Sequence, residues 1–370
     1  MSDTLRTYRS VKKDLNQLFP RKPKGHLAQA VDTLAWAITG IVRGRSSCLP
    51  DIANHMPGAR RESQVKKLER FIQNERNDDR CDYLQFSERL LKALAKRLPR
   101  LVLIIDGSVV GYGCRALVIS VLFGGRALPL AFHVETGPKG HFGEDVHLAL
   151  LEAVQAIVPH GIAVTFLGDG EFDGVDLLAR LESFGWEYVC RTAANALLIA
   201  DEGDPFPFRA ITPAKGEVMS GSVRFTAARY GPVLAVAAWR EDCSEPIYLV
   251  SNLNDEDAVL QAYRKRGRIE AFFGDEKSRG FDLHESHLSI PKRLARLMIA
   301  TCLAYLWVVY LGVVAKRKDW QGVIHRRHRC DLSLFQLGLV LLQHLLNREL
   351  PLPTGFVPSG PDLLAVIGDG

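Results

Sequence analysis

A chain of 370 residues, 47% hydrophobic and 24% charged, is long enough for two or three domains with buried cores, and it excludes a disordered polypeptide or a collagen. Its seven cysteines are odd in number and widely scattered, which excludes a disulfide-rich miniprotein and argues against a zinc module; free thiols in a reducing cytosol fit best. The net charge of +5 hides a segregation of +10 over residues 1–100, −8 over 101–254, +6 over 255–330 and −3 over 331–370, which suits either a metal-dependent enzyme acting on a polyanion or chance clustering on solvated surfaces.

Met1 to Lys24 is polar and lacks the apolar stretch of a secretory signal. The first 100 residues read as helical, with apolar residues at helical spacing in Leu27, Val31, Leu34, Ala35 and Ile38, and again in Leu84, Leu90, Leu91, Leu94 and Leu98. Between these lie a short helix over 47–55, a break at Met56-Pro57-Gly58-Ala59 and a basic helix over 60–72. Together they predict a helix-turn-helix, although any αα-hairpin gives the same pattern. Val65, Leu68 and Phe71 can face inward, which leaves Arg60, Arg61, Lys66, Lys67 and Arg70 as candidate DNA contacts.

From Leu101 the texture changes to short apolar runs bounded by turn residues. Strands are predicted at 101–105, 116–123 and 127–133, the last two joined by a hairpin turn at Gly124-Gly125-Arg126. A helix at 144–157, a strand at 162–167, a helix at 174–184 and a strand at 186–191 follow, which implies a mixed sheet with helices packed on it. Residues 195–253, punctuated by Pro and Gly, read as a β-rich insertion, and a long helix begins near Asp255. Leu297–Ala315 is uncharged and long enough to span a bilayer, but flanking cations on both sides give no orientation signal; a buried helix is expected, with no membrane partner. Pro351–Gly370 is read as a surface tail.

Three carboxylates stand in informative places. Asp106 and Asp169 each follow a predicted strand, and if those strands are neighbours both side chains leave the same end of the sheet. Clustered carboxylates repel unless a cation sits between them. With Glu270 they make three oxygen donors suited to Mg²⁺ or Mn²⁺. In the predicted helix around Glu270, Tyr263, Arg266, Glu270 and Lys277 are spaced to share one face if the helix is unbroken, presenting a metal ligand, two cations and a hydroxyl to phosphates.

Tyr-x-x-Arg-x-x-x-Glu-x-x-x-x-x-x-Lys, preceded by an Asp at each of two strand ends, resembles the DDE transposases of bacterial insertion sequences, in the branch called the insertion-sequence-four family. The resemblance covers nearly the whole chain. It implies an α/β fold in which a ribonuclease-H-like catalytic core (101–194 and 254–350) is interrupted by the β-rich insertion (195–253), preceded by an N-terminal all-helical DNA-binding domain (1–100) and followed by a tail (351–370). It further implies a catalytic and metal-binding triad of Asp106, Asp169 and Glu270, two Mg²⁺ ions for which Mn²⁺ can substitute, and DNA contacts from Tyr263, Arg266 and Lys277. The partners implied are double-stranded DNA, as transposon ends and target, and a second copy of the chain in a synaptic homodimer, in the bacterial cytoplasm at the nucleoid. Family members commonly carry Asp-Arg-Gly-Phe at the second Asp; here the run is Asp169-Gly170-Glu171-Phe172, with Glu171 and Asp173 as acidic neighbours of the ligand.

Two further places are singled out. Trp239, inside the insertion, is a candidate for stacking on a flipped base, or else a core residue of the β segment. The cluster His133, Glu135, His141, Glu144, Asp145 and His147 matches no standard zinc spacing and reads as a polar active-site loop in which Lys139 and His141 could contact DNA. Two other functions share these features: an inactive or domesticated relative that only binds DNA, and a structure-selective nuclease of the same fold.

Overall fold

The computed structural model describes residues 1–17, 23–57, 60–76, 79–138, 140–200, 203–317, 320–327 and 329–357. Five helices come first: α1 (Asp3–Gln17), α2 (Gly25–Gly44), α3 (Leu49–Ala53), α4 (Arg61–Gln73) and α5 (Asp79–Ala95). Three strands follow, β1 (Arg100–Gly111), β2 (Cys114–Phe123) and β3 (Arg126–Thr136), then α6 (Glu144–Gln155), β4 (Ala163–Gly168), α7 (Val175–Ser183) and β5 (Glu187–Arg191). Next are β6 (Leu197–Ile199), β7 (Phe206–Pro207), β8 (Val218–Phe225), β9 (Tyr230–Ala238) and β10 (Ile247–Ser251). The chain closes with α8 (Glu256–Tyr263), α9 (Arg268–Glu276), α10 (Pro291–Arg317), α11 (Gln321–Ile324) and α12 (Leu334–Asn347).

The described strands form one mixed sheet in the order β3-β2-β1-β4-β5-β10-β9-β8-β6-β7. The first hairpin turns where the sequence says it should: Gly124 and Gly125 have φ of 53° and 73°, a left-handed pair that closes β2 onto β3. β1, β4 and β5 run parallel, and β10 pairs antiparallel with β5, so the strands of residues 195–253 continue the same sheet.

α10 explains the long apolar run. It is buried from Leu294 to Val309 and again from Leu311 to Ala315, packed against α2, α4, α12 and β3. A helix apolar on all sides is stable when it is covered on all sides. It is the one described helix long and apolar enough to cross a membrane, and 94% of its apolar window is inside the protein. The amino-terminal helices reach into the same core: the Tyr83 hydroxyl donates to the Pro129 carbonyl at 2.8 Å, Ser87 to Leu130 at 2.7 Å, and Arg296 on α10 to Ile72 at 3.0 Å.

Candidate active site

The register of β1 with β4 pairs Ile104 with Leu167, so Asp106 and Asp169, two residues further on each chain, stand level at the same end of two adjacent parallel strands. The strands are therefore the neighbours that the sequence argument requires. One detail differs: β1 continues to Gly111, and Asp106 lies inside it, opposite Val118, because the β1–β2 hairpin pairs well past the apolar run. Glu270 comes from α9, which packs on β1 and β3.

The three carboxylates converge on one cation, the guanidinium of Arg266. Its Nη2 lies 3.1 Å from Asp106 Oδ2 and 2.7 Å from Asp169 Oδ2, and its Nη1 lies 2.9 Å from Glu270 Oε1. Arg266 is only 14% exposed, whereas its neighbours Arg264, Lys265 and Arg268 face solvent. Arg266, expected at DNA phosphates, makes an inward ion pair in this structure. Burial pushes the Asp106 carboxyl up to about 6, opposed by Arg266 and reinforced by the charge on Asp169. Asp106 Oδ1 accepts from the Gly107 N–H at 2.8 Å. A Cβ at Gly107 would meet the Phe142 ring at 2.8 Å, so glycine is what allows that ring to close over the carboxylate strand.

The expected single helix from Tyr263 to Lys277 is interrupted. α8 ends at Tyr263 and α9 starts at Arg268, joined by a turn in which Arg266 N–H bonds the Tyr263 carbonyl at 2.9 Å and Arg268 N–H bonds that of Lys265 at 3.1 Å, the three-residue spacing of tightened turns. Gly267 and the like charges at 264, 265, 266 and 268 make continuation unfavourable. Arg266 and Glu270 still meet across four residues, but Tyr263 is half-buried and is not among the residues lining the carboxylate cleft; burial raises its hydroxyl pKa, with Arg266 opposing. Lys277 does line the cleft, with Nζ 2.6 Å from Ser108 Oγ.

That cleft, about 730 Å³, is lined by the triad and by Ser108, Arg115, His141, Phe142, Glu171, Arg266 and Lys277, among others. Glu171 organises one wall: its Oε1 accepts from the Phe142 N–H at 2.5 Å and faces His147 Nε2 at 3.3 Å, its Oε2 lies 3.6 Å from His141 Nδ1, and its own N–H donates to Asp169 Oδ1 at 3.2 Å. Burial alone would raise its pKa, but the His147 bond, the Phe142 N–H and the nearby imidazoles outweigh it and hold the carboxyl below its ordinary value. His141 is 79% exposed on this wall. Asp173 instead accepts from Thr192 at 2.5 Å, away from the triad's cation. Ser108, Arg115 and Phe142 were not expected as cleft residues, and Glu171 was expected only as an acidic neighbour of Asp169. Strand alternation could have found Ser108, which lies two residues from Asp106 on the same face; Arg115 stands opposite Val109, on the alternate parity, and bonds Glu135 across strands at 2.6 Å.

The other expected residues lie apart from the cleft. Trp239 follows β9 at the sheet end that carries the carboxylates, three strands from β4, or about 14 Å across by strand spacing. It is half-buried, and its indole N–H donates to the Cys243 carbonyl at 3.2 Å. Arg60, Arg61, Lys66 and Arg70 are exposed on or beside α4, while Lys67 turns toward α2 and pairs with Asp32 at 3.3 Å. The paired short and basic helices stand where the helix-turn-helix is expected, as α3 and α4 in contact, with Leu68 and Phe71 buried; Gly58 and Ala59 of the turn lie outside the described residues, as does Lys139.

Whether the triad suits a divalent ion can be judged from its donors. Three carboxylates from β1, the β4 end and α9 are drawn around one positive group, the guanidinium of Arg266, and together they would be the residues to hold a divalent ion. As arranged around Arg266, no group of three or more His, Cys, Asp or Glu among the described residues is placed to hold a metal ion. The donor types, all carboxylate oxygens, are those a hard cation takes, and in this structure their shared partner is Arg266.

Residues 97–307 match the family model described as Transposase DDE domain, which spans more than half of the chain. Among solved structures, the chain is similar to that described as the cryo-EM structure of piggyBac transposase synaptic complex with hairpin DNA. The identity is 13%, with a TM-score of 0.46 over 100% of this chain and 85% of that one, a likeness too slight to argue from. No curated protein matches the chain.

Proposed function

The chain belongs to the transposase DDE domain family, and from that premise we propose that it is a DNA transposase of the insertion-sequence-four branch, cutting at terminal inverted repeats and joining the freed ends to target DNA. The observation that carries this reading is the convergence of Asp106, Asp169 and Glu270 on a single cation at the end of two parallel strands. The sheet order β3-β2-β1-β4-β5, with three antiparallel strands followed by two parallel ones, supports a ribonuclease-H-like core. In this reading residues 1–100 bind the ends, 195–253 form the insertion, and two copies of the chain synapse two ends on double-stranded DNA in the bacterial cytoplasm.

Asp106, Asp169 and Glu270 would hold two Mg²⁺ ions, or Mn²⁺ in their place. Bound there, the ions supply an activated water as nucleophile and charge stabilisation of the departing 3′ oxygen, so no protein nucleophile is needed. The protein's own task is positioning. Gly107 N–H fixes the Asp106 carboxylate and Glu171 N–H fixes that of Asp169, so both are oriented before substrate arrives. Lys277, Arg115 and His141 line the cleft as contacts for the phosphates flanking the cut. Tyr263 and Arg266 complete the signature turn, Trp239 is assigned to stacking on a base at the transposon end, and Arg60, Arg61, Lys66, Lys67 and Arg70 are assigned to end recognition.

The test is strand cleavage of an end-containing duplex in Mg²⁺. Asp106→Asn, Asp169→Asn and Glu270→Gln should each lose cleavage almost completely, with double variants losing little more, because groups that act as a unit are not additive. Glu171→Gln should keep most of the activity, since its amide oxygen can still accept from Phe142. Wild-type cutting by Glu270→Gln, or a dead Glu171→Gln beside an active Asp169→Asn, refutes the assignment.

A further inference from the structure

The reading of the triad as a metal site leaves Arg266 unexplained, because its guanidinium already engages the oxygens that reading needs. The oxygen ligands of Mg²⁺ lie about 2.0–2.1 Å from the ion. Nη2 sits 3.1 Å from Asp106 Oδ2 and 2.7 Å from Asp169 Oδ2. An ion drawing on those same carboxylate oxygens would compete with Nη2 for them, and the two positive groups a few ångströms apart would repel one another.

Resting on the metal-site reading of the triad, we infer that Arg266 is the resident counter-ion of Asp106, Asp169 and Glu270, and that a divalent cation takes its place and turns it out into the cleft. Three features support the exchange. First, Arg266 is drawn inward from a run of four basic residues whose other members, Arg264, Lys265 and Arg268, stay exposed. Its direction follows from the carboxylates and not from its neighbours in sequence. Second, the three carboxylates reach it from separate elements, β1, the β4 end and α9, so that without metal this one side chain relieves the repulsion among all of them. Third, Arg266 rides on the 264–267 turn between α8 and α9 and lines the open cleft, so its release asks for movement of a side chain on a turn that already borders open space. Released, it meets the cleft that Arg115, His141 and Lys277 also line, where a phosphate can accept from it. Arg266 is thus a positioning residue in two states: it holds the carboxylates together before metal binds and is available to DNA afterwards.

Two measurements on the full chain test the exchange, with the metal ion alone as probe. In the first, Mn²⁺ binding is followed by the paramagnetic resonance of the free ion. Arg266→Gln should bind Mn²⁺ about tenfold tighter or more than wild type, because a competing unit charge a few ångströms away has gone, and Arg266→Lys should restore affinity toward the wild-type value. In the second, wild-type protein is labelled with an arginine-selective dicarbonyl and mapped by mass spectrometry. Adding Mg²⁺ should raise labelling of Arg266 several-fold while leaving that of Arg264 and Arg268 unchanged. The second measurement needs no variant, so it stands even where Arg266→Gln does not fold without metal. Wild-type protein that binds Mn²⁺ while Arg266 labelling is indifferent to metal overturns the exchange and leaves the triad intact. Loss of Mn²⁺ binding in Asp169→Asn, together with metal-dependent Arg266 labelling in wild type, upholds both. Wild-type protein that binds no Mn²⁺ overturns the metal-site reading, and the exchange with it.

Discussion

Buried carboxyl groups in this protein are controlled one residue at a time, and Glu276 shows the extreme. It lies at the end of α9, fully enclosed, where burial pushes its carboxyl from an ordinary value of 4.5 up to about 8, with the Thr301 hydroxyl opposing. The folded protein therefore keeps the group protonated over a range in which the unfolded chain ionises it. Its contribution to stability is whole below about 4.5 and is lost as pH rises toward 8, at a slope of about 1.4 kcal/mol per pH unit. Glu276→Gln keeps the shape and removes the proton. The variant should melt several degrees above wild type at pH 8 and show little difference at pH 4.5, as read by thermal unfolding across that window. Equal melting temperatures at pH 8 contradict the buried neutral acid. Asp106, also pushed up but only to about 6, has what Glu276 lacks, a guanidinium at 3.1 Å.

At the scale of elements, α9 matters because it carries Glu270, and its placement depends on a buried ion pair. Arg126, the first residue of β3, bridges to Asp275 on α9, donates through Nε to the Tyr305 hydroxyl on α10 at 3.2 Å, and reaches the Ala271 carbonyl at 3.4 Å. The two charged side chains are both nearly sealed from solvent. Removing one partner leaves the other charge buried and unpaired, so Arg126→Ala should destabilise by about 3–5 kcal/mol in a denaturant titration. Replacing both, as Arg126→Met with Asp275→Leu, should cost less than Arg126→Ala alone. If the single variant unfolds at the wild-type midpoint, this pair is not what fixes α9.

For the whole molecule, the notable fact is that the amino-terminal helices and the sheet share one core. α2 and α4 cover α10, α5 packs on β3, and Ser47 donates to the Phe281 carbonyl at 2.8 Å. A fragment starting at residue 97, where the family match begins, keeps all ten described strands and the α12 and β3 faces on α10 but strips it of α2 and α4. Such a fragment should bind a hydrophobic dye, lack near-ultraviolet circular dichroism and fail to melt cooperatively. Cooperative melting near the full-length temperature would show the cores to be separable. The same sharing places the basic face of α4 and the carboxylate cleft on one packed body.

What the sequence determined by itself is local. Gly124-Gly125 specified a hairpin because two left-handed residues in a row suit little else. The apolar runs of β1 and β4 marked buried strands with an acid beyond each run, and Asp255 capped α8 by accepting from the Asp257 N–H at 3.0 Å, as a side chain can do with its own chain two residues on. Local signals flagged Asp106 and Asp169 at strands and Glu270 on a helix, and the resemblance grouped them, but that β1 and β4 are neighbours is decided by the sheet. Tertiary structure decided the rest, and the reason is competition over distance. Periodicity on the Tyr263–Lys277 segment predicts one helix face, but the fate of Arg266 is decided by carboxylates 160 and 97 residues earlier in the chain, and they draw it inward. Glu171 reads as a spare acid until the Phe142 N–H and two imidazoles from a separate loop and helix close around it. Nor could composition tell a spanning helix from a covered one: α10 has the same residues in either setting, and only α2, α4, α12 and β3 packing around it make the difference.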